Sequence, residues 1–505
     1  MSSDSRPAIT FERFGIGFST PTGERVILES VDLSVEAGKL YLLIGESGSG
    51  KSTILRLIAG LWDTREPLPR MRGKARVLGE SVRGSYPETL RGRVQAVLQD
   101  EGLLDELSPR ANVELGLQRA GRSKRLALGL LSQAGLDQPP ANVAELSGGM
   151  RKRLAVARAM AGDPAVLVFD EPTAGLDGDS AREIAELIRS TQRSAGSART
   201  TIVITHDLAA FEGLADSVLQ LDHRQRTLRL RNPDDPVEDG DESTRGVEPA
   251  PADSEVGLHG VRRFLLSFAA LATTVGEAFT RAIPVYPAIV IRAIGRYTLE
   301  PVFFIVVGCA TVGGLATFFA LRNNPLEGAF VASVLTGSGK VLVSVLIPLL
   351  AGFFFTARVA AGAAARLGTM KRTSQVAALR VIGIRPADYL LVPMVWACVI
   401  AMPVATFCGL VMMSVFSCGA AILVAGSTPL GWARAFFAEV DVSDLRFVLS
   451  KTVLSGLLIA IQTYHLAMGP KRSGRDVGQS VNSAIVLGIY TVLAVHAVLT
   501  LLQFG

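Results

Sequence analysis

The segment GESGSGKS, which runs from Gly45 to Ser52, constrains the fold of this chain more than any other feature. The apolar residues 40–44 before it predict a β-strand, and the periodic residues 53–61 after it predict an α-helix. A G-x-x-x-x-G-K-S segment in this context is typical of a phosphate-binding loop, because glycines let backbone N–H groups converge on phosphate oxygens. We expect Lys51 to reach the β- and γ-phosphates of a nucleotide and Ser52 to bind Mg²⁺.

Two later segments carry residues suited to the same chemistry. The apolar run 166–169 ends in Asp170 and Glu171, which predicts carboxylates at the C-terminal edge of a strand, where open α/β sheets bind ligands. We expect Asp170 to hold Mg²⁺ through water and Glu171 to polarise the attacking water. Ser147-Gly148-Gly149 opens a helical pattern and predicts a second anion site at a helix N-terminus. Taken alone, these segments are also compatible with an acidic turn and an ordinary serine N-cap.

Taken together, these motifs resemble those of the ABC ATPase family across residues 8 to about 230. The resemblance implies an α/β P-loop ATPase domain with a RecA-like core and a helical subdomain, which binds ATP and Mg²⁺. It identifies Gln99 with the Q-loop glutamine, residues 174–177 with the D-loop, His206 with the switch histidine and Phe18 with the aromatic side chain that stacks on adenine. The implied catalytic residues are Lys51, Glu171 and His206. The implied metal ligands are Ser52, Gln99 and Asp170. The implied nucleotide-binding residues are Phe18, Gly45, Ser47, Gly48, Gly50, Lys51, Ser52, Thr53, Gln99, Ser147, Gly148, Gly149 and Asp177.

The same resemblance implies a homodimer. In this family the segment that matches Ser147 covers the nucleotide held on the phosphate loop of the other subunit, so a single ATPase domain is incomplete. Met150 stands where the family usually has glutamine. We interpret Met150 as the mark of a subfamily and not as a loss of activity, because Ser147, Gly148, Gly149 and Glu171 are present.

Composition divides the chain into parts. At 505 residues and 49% hydrophobic residues, it is too long for one domain and too apolar for two soluble domains. Residues 233–255 carry nine carboxylates and one arginine among Pro, Gly and Ser, which favours a solvated tether, with an acidic docking site as the alternative. We predict a cytoplasmic ATP-binding domain at 1–232, an acidic disordered linker at 233–256 and an all-α transmembrane domain at 257–505.

Charge and the N-terminus exclude other classes of function. The first ten residues lack the apolar core of a signal peptide, so we expect the N-terminal half to stay in the cytosol. The formal net charge of +5 comes without a basic patch interleaved with aromatic residues, which argues against a nucleic-acid partner.

The C-terminal half predicts about five membrane spans, since a spanning helix needs roughly 20 apolar residues. The segment 389–433 is long enough for one helix plus an external segment, or for a hairpin of two helices. Residues 261–282 contain an apolar run of only thirteen residues beside two arginines, which favours an interfacial helix over a tilted extra span. The predicted spans are 301–321, about 338–362, 389–433, 452–470 and 477–505.

Charged loops set the predicted orientation. Residues 358–387 contain six basic residues and no acidic residue, and 471–475 add three more, so both segments should face the cytosol. Five spans then place the C-terminus in the periplasm. Residues 366–382 lie between two spans and are placed to contact the ATPase, or else to attract anionic lipid. His465 and His496 are compatible with a proton or substrate path, or with neutral side chains hydrogen-bonded within the bundle.

The segment 357–393 resembles the signature of MlaE/YrbE-type permeases, the integral subunits of bacterial lipid transporters that work with MCE-domain proteins. The resemblance covers about 285–505, and its most specific part is the block from LGTM to ALRVIG at 367–383. The chain departs from that family at Ser374 and Ala377, where acidic residues are common, and at Ser344-Val345, where an Arg-Glu pair is common. The matching positions are Arg358, Gly362, Leu367, Gly368, Thr369, Met370, Gln375, Ala378, Leu379, Arg380, Gly383, Pro386, Pro393, Gly474 and Arg475.

These resemblances imply an ATP-driven lipid transporter of the bacterial inner membrane, with phospholipid as the expected substrate. The implied partners are a second copy of the chain, a periplasmic MCE-domain protein and a small cytoplasmic accessory subunit. One alternative is a half-size exporter of the ABCG type, which shares the order of domains but needs six spans. A second alternative is a membrane ATPase that gates a partner complex without transport.

Overall fold

The structure is a computed structural model, and its described residues form two compact units. The first unit contains the residues up to 233 together with Thr373–Arg385, and the second contains the other described residues from 271 onwards. Almost all of the predicted acidic linker, and the first half of the predicted interfacial helix, fall outside the described residues. The structure describes residues 7–20, 23–62, 68–84, 86–193, 199–233, 271–281, 283–323, 330–471 and 473–504.

The strands of the first unit form two sheets. The described strands are β1 (Ile9–Thr20), β2 (Gly23–Val35), β3 (Leu40–Ile44), β4 (Arg70–Val77), β5 (Glu80–Ser81), β6 (Val94–Val97), β7 (Val166–Asp170), β8 (Thr200–Ile204), β9 (Ser217–Asp222) and β10 (Thr227–Arg231). Four strands make an antiparallel sheet in the order β2-β1-β4-β5, and six make a second sheet in the order β10-β9-β3-β8-β7-β6. The second sheet is parallel except for β10.

The register of the parallel sheet brings the predicted site segments to one edge. Ile204 at the end of β8 lies opposite Leu43 of β3 and opposite Asp170 of β7. Because the carboxyl ends of parallel strands meet at the same edge, the loop that follows β3 and the two carboxylates that end β7 become neighbours.

The central strands are buried on both faces, as their continuous apolar runs predict. All five residues of β3 are buried, and its alternate side chains enter two separate hydrophobic clusters. Tyr41 and Leu43 pack into one cluster with the antiparallel sheet, whereas Leu40, Leu42 and Ile44 pack into the other with the helices. Because successive side chains of a strand point to opposite faces, β3 packs against a hydrophobic core on each side. This packing holds the carboxyl edge of the sheet in place.

Helices surround the parallel sheet and form the second unit. Residues 271–280 are also helical and are labelled α6. The helix Gln375–Val381, labelled α11, belongs to the first unit. The other helices are α1 (Lys51–Ala59), α2 (Pro109–Arg119), α3 (Leu126–Gln133), α4 (Gly148–Met160), α5 (Gly178–Arg193), α7 (Pro287–Arg322), α8 (Val331–Val341), α9 (Ile347–Phe355), α10 (Ala361–Arg372), α12 (Val392–Ala425), α13 (Pro429–Phe436), α14 (Val442–Ala467) and α15 (Gly474–Phe504).

Four helices of the described residues are long and apolar enough to cross a membrane. They are Pro287–Arg322, Val331–Arg372, Ala387–Ala425 and Gly474–Phe504. The second and third contain short π-helical segments, and the third shows that 389–433 forms one long helix followed by the short α13. The helices exceed the predicted spans because helical backbone continues past the uncharged runs, as α7 does through Arg292 and Arg296.

The fifth predicted span is the 26-residue helix α14, which is less apolar than the other four. Its N-terminal half carries Asp444 and Lys451, both buried. The Lys451 ammonium donates to the Ser344 carbonyl at 3.0 Å and to Gln503 Oε1 at 2.8 Å, and Gln503 Nε2 donates to Asp444 Oδ1 at 2.6 Å. These bonds satisfy polar groups that would otherwise be costly inside an apolar bundle.

The predicted histidines of the last two helices differ in burial. His496 is buried, and its Nδ1 lies 2.9 Å from the Val492 carbonyl oxygen one turn earlier. His465 is partly buried on α14. Of the two roles considered for His496, this geometry favours a side chain hydrogen-bonded within the helix bundle over one on a proton or substrate path.

Small residues allow the helices of the second unit to approach closely. A Cβ added at Gly456 of α14 would lie 2.6 Å from the Cys398 carbonyl oxygen of α12. Gly409 of α12 likewise faces the Cys309 sulfur of α7, which a Cβ would approach to 3.0 Å. Helices in membranes use such small residues to gain dispersion contacts between their backbones.

We expect Gly456→Ala to destabilise the second unit by about 1–3 kcal/mol, because the added methyl group would collide with backbone that cannot move alone. Gly419→Ala is the matched control, since a Cβ at this α12 position meets no atom of the described residues within 4 Å and alanine favours a helix. Thermal unfolding in detergent would report both variants. Equal midpoints for Gly456→Ala and the wild type would contradict the packing described.

Candidate functional site

The loop between β3 and α1 has the backbone of an anion cradle. Gly48 and Gly50 have φ values of 77° and 113°, in the region that favours glycine. A Cβ at Gly50 would lie 2.3 Å from Ile27 Cγ2, so this position excludes a side chain for steric as well as conformational reasons. The loop ends at Lys51, the first residue of α1, where the helix N-terminus adds positive potential.

The Lys51 side chain lies across this loop. It is 7% exposed, and its ammonium donates to the Gly45 carbonyl at 2.6 Å and to the Glu46 carbonyl at 3.0 Å. Burial lowers the pKa of Lys51, while the charges of Glu171 and Asp170 oppose that shift. The group is therefore a partly desolvated cation, whose attraction to an anion is stronger than it would be in water.

Asp170 and Glu171 end β7 on the same side of the sheet. Burial raises the pKa of Asp170 to about 6, and the neighbouring Glu171 carboxylate adds to the shift, whereas Lys51 opposes it. Two close carboxylates in a half-buried site are more negative than one lysine can balance. A divalent cation with oxygen ligands fits this donor set, and the Ser52 hydroxyl and the Gln99 amide line the same cavity.

Glu171 has an unusual backbone conformation. Its φ of 48° places a residue other than glycine in the left-handed region, which costs free energy unless neighbouring contacts hold it. Its N–H donates to the Ile204 carbonyl at 2.9 Å. Its carboxylate lies 3.4 Å from His206 Nε2 and accepts a 3.4 Å hydrogen bond from the His206 N–H.

These groups line one cavity of about 710 Å³ at the carboxyl edge of the parallel sheet. Its volume falls in the range of small-molecule sites. Eleven of the predicted site residues meet there: Phe18, Ser47, Gly48, Gly50, Lys51, Ser52, Thr53, Gln99, Asp170, Glu171 and His206. Gly45 adjoins them through its carbonyl bond to Lys51.

The remaining predicted residues lie elsewhere on the first unit. Ser147 and Gly148 are exposed at the start of α4, and Gly149 is partly exposed. The Ser147 hydroxyl accepts the Met150 N–H at 3.3 Å, so this serine is the N-cap of α4. Asp177 is also exposed and accepts hydrogen bonds from the Ser180 N–H and hydroxyl, which lower the pKa of Asp177. Both motifs are thus presented at the surface, outside the cavity of their own chain.

Four further residues line the cavity, and the sequence analysis named none of them as an individual site residue: Arg25, Ile27, Ala174 and Ile204. Arg25 donates from Nη2 to the Gly48 carbonyl at 2.9 Å and so supports the phosphate-binding loop. Arg25 and Ile27 lie on β2, in the other sheet, and no local motif marks them. Ala174 lies within the segment 174–177 that the sequence analysis identified with the D-loop, whereas Ile204 is the last residue of β8 and was not singled out.

Residues 373–385, here called the connector, pack against the ATP-binding part of the first unit. Gln375 Nε2 donates to Asp105 Oδ2 at 2.8 Å, and the Ser374 hydroxyl lies 3.3 Å from Asp100 Oδ2. The connector thus supplies the neutral donors and the facing loop supplies the carboxylates. This arrangement explains how docking persists although Ser374 replaces an acidic residue of the MlaE-type pattern.

Backbone carbonyls at the end of the connector are bonded as well. Gln95 Nε2 of β6 donates to the Val381 carbonyl at 3.0 Å, and Arg119 Nε of α2 donates to the Gly383 carbonyl at 2.8 Å. The Val381 side chain is 3% exposed and belongs to the hydrophobic cluster that contains alternate residues of the parallel sheet. The connector is therefore part of the core of this unit.

Comparison with protein families assigns both parts of the chain. Residues 28–174 match the ABC transporter family, and residues 290–502 match the family Permease MlaE. The second match covers α7 to α15, apart from the ends of the outermost helices. The permease match disfavours the ABCG-type alternative, which should lack the MlaE block.

Curated relatives match the N-terminal part. The methionine import ATP-binding protein MetN of Streptomyces coelicolor is 36% identical over 212 residues, which are 39% of this chain and 58% of the relative. The aliphatic sulfonates import ATP-binding protein SsuB 1 of Mesorhizobium japonicum is 35% identical over 237 residues, 45% of this chain and 84% of the relative. The chain thus spans a little over half the length of MetN and most of SsuB 1.

A solved structure of a dimeric ATP-binding cassette, in a post-hydrolysis state bound to ADP and Pi, is 24% identical and aligns with a TM-score of 0.39. It covers 45% of this chain and 98% of its own. With the two family matches and the SsuB 1 relative, the chain belongs to the ABC transporter family, as an N-terminal ATP-binding domain fused to a C-terminal MlaE permease domain.

Proposed function

We propose that this chain is an ATP-driven lipid transporter of the bacterial inner membrane that works as a homodimer. One observation carries the proposal: the same chain holds the cavity around Lys51, Asp170 and Glu171 and a region that matches the MlaE permease. The long apolar helices favour lipid as the substrate, with phospholipid as the specific class.

Each ATP-binding domain would hold one nucleotide in the cavity at the sheet edge. The backbone N–H groups of residues 48–53 and the Lys51 ammonium would bind the β- and γ-phosphates, and Phe18 would stack on adenine. Arg25 holds the loop in the required conformation through its bond to Gly48.

Mg²⁺ would be held by Ser52, Gln99 and Asp170, and when bound it would neutralise developing charge on the phosphates. Glu171 would accept a hydrogen bond from the attacking water and take up its proton. His206, 3.4 Å from the Glu171 carboxylate, would hold that carboxylate in position.

The second copy of the chain would complete each site. Ser147, Gly148 and Gly149 present the N-terminus of α4 at the surface, where bare N–H groups attract anions. We propose that these residues and Asp177 of one copy cover the nucleotide held by the other copy. Closure of the two ATP-binding domains would then act on the spans through the connector, which is continuous in sequence with α10 and with the helix that follows.

We propose further that the two membrane domains enclose a lipid cavity and that a periplasmic MCE-domain protein continues the path, with a small cytoplasmic accessory subunit as an additional partner. The N-terminal and connector segments would face the cytosol, and the C-terminus would be periplasmic. The basic residues of the connector region support this orientation.

We expect Lys51→Ala to weaken ATP binding about 10- to 100-fold, because a charged hydrogen-bond donor to the phosphates is lost. Arg25→Ala should weaken it by about five-fold, since it removes one supporting bond at the loop. Equilibrium binding of a fluorescent ATP analogue to the purified chain measures both. Lys39→Ala, an exposed lysine paired with Glu36, is the control, and equal affinities in all four proteins would refute the assigned site.

We expect Glu171→Gln to retain ATP binding and to lose hydrolysis, because the amide cannot take a proton from water. The variant should accumulate as an ATP-bound dimer in which two ATP-binding domains are closed. Light scattering after size exclusion, with and without ATP and Mg²⁺, measures this state. A strictly monomeric protein under these conditions would overturn the two-copy mechanism.

The lipid assignment predicts that the protein purified in detergent carries phospholipid and copurifies with an MCE-domain protein, both identified by mass spectrometry. Reconstituted with that partner, it should move labelled phospholipid in an ATP-dependent manner, and Glu171→Gln should not. ATP turnover without lipid movement would instead support a membrane ATPase that gates a partner.

A further inference from the structure

The loop that carries Gln99 is bonded to α4 through a buried arginine. Arg158 is 4% exposed and donates from Nη1 to the Gly102 carbonyl at 2.6 Å and from Nη2 to the Glu101 carbonyl at 2.7 Å. Residues 98–105, here called the bridging loop, are therefore held on α4, the helix whose N-cap is Ser147. Because the two bonds are short and buried, loop and helix are expected to move together.

A second tie between these elements is a buried ion pair. Lys152 of α4 is 8% exposed, and its ammonium lies 3.9 Å from Glu101 Oε1, with both side chains largely shielded from water. Burial lowers the pKa of Lys152 and raises that of Glu101, and each charge opposes the shift of the other. Breaking such a pair would leave one desolvated charge, so the pair strongly favours a single arrangement.

The Lys152 ammonium also lies close to the backbone of Glu171, the residue that follows β7. Lys152 Nζ lies 3.5 Å from the Glu171 carbonyl oxygen. Glu171 holds a left-handed backbone conformation, and its N–H is fixed by the Ile204 carbonyl. Lys152 therefore restrains the C=O end of a residue whose N–H end is already anchored. Two anchors on one strained residue fix its backbone and therefore the direction of the Cα–Cβ bond from which its carboxylate extends.

The other end of the bridging loop meets the connector. Asp105 accepts a hydrogen bond from Gln375 Nε2 at 2.8 Å and lies 3.8 Å from Arg151 Nη1. Arg151 Nε in turn lies 3.6 Å from Glu101 Oε2. A continuous series of contacts thus joins the connector to the backbone of Glu171, through Asp105, Arg151, Glu101 and Lys152.

We propose that Lys152 is a positioning residue for Glu171, and that its ion pair with Glu101 links the docking of the connector to the orientation of that carboxylate. The inference deepens the proposed function, on which it rests. Lys152 does not line the nucleotide cavity, so it acts on the rate of hydrolysis through Glu171 and leaves ATP affinity unchanged. Docking of the connector then sets how well each site hydrolyses ATP.

Steady-state hydrolysis by the full-length reconstituted chain tests the positioning role. Lys152→Met should lower kcat by about tenfold while KM for ATP stays within about twofold, because misplacement of a catalytic group affects the chemical step. Lys152→Arg, which keeps the charge, should retain most of the activity. Lys74→Met removes an exposed lysine of the same unit and serves as the matched control.

A second variant separates positioning from folding. Glu101→Gln combined with Lys152→Met removes both buried charges, so it should recover the thermal stability that Lys152→Met alone loses. If Lys152 positions Glu171, kcat stays low in this double variant. If the pair serves folding only, stability and kcat recover together, which would overturn the proposal.

The link to the connector is tested by non-additivity. Gln375→Ala should lower kcat in the wild-type background and have no further effect in Lys152→Met. Additive effects of the two changes would overturn the link. If the wild-type chain hydrolyses ATP and Lys152→Met has an unaltered kcat, the inference about Lys152 is wrong while the proposed function stands. A wild-type chain without ATP turnover overturns the proposed function and the inference together.

Discussion

The structure depends on opposite charges gathered at one half-buried edge of a parallel sheet. Lys51, Asp170 and Glu171 are brought together because β3 and β7 end at the same edge with β8 between them. In water these charges would be screened, but partial burial makes each one sensitive to its neighbours, as the raised pKa of Asp170 reflects. The glycine-rich loop, the left-handed backbone of Glu171 and the burial of β3 on both faces all serve to hold this arrangement.

The connector, a segment of the permease sequence, packs into the same unit as the ATP-binding domain. The connector places Val381 in the hydrophobic core and hydrogen-bonds Gln375 to Asp105, while Arg385 lies 3.1 Å from Glu88. All three contacts join a neutral or basic connector residue to an apolar or acidic site. The loss of the acidic residue at position 374 is consistent with this polarity, since a carboxylate there would face Asp100, whose Oδ2 lies 3.3 Å from the Ser374 hydroxyl.

Much of the fold and of the cavity could be predicted from the sequence because local patterns determine them. The strand β3 has the predicted bounds, and the motifs around Lys51 and Glu171 are contiguous in sequence. Arg25 and Lys152 could not be found in this way, since their roles arise from sheet and helix packing between distant segments. The sequence shows that Asp444 and Lys451 of α14 are charged, but it does not show that they are buried. Their burial depends on partners from other parts of the chain, such as Gln503 of α15, which accepts a hydrogen bond from Lys451.

The inclusion of the connector in the first unit bears on how this protein can be divided. A fragment that stops at residue 232 would retain Gln95 and Arg119 but lose the carbonyl groups of Val381 and Gly383 that accept their hydrogen bonds. It would also leave an apolar hollow where the Val381 side chain sits. The compact unit that contains the ATP-binding domain is therefore discontinuous along the chain, since it includes thirteen residues that lie between two membrane helices in the sequence.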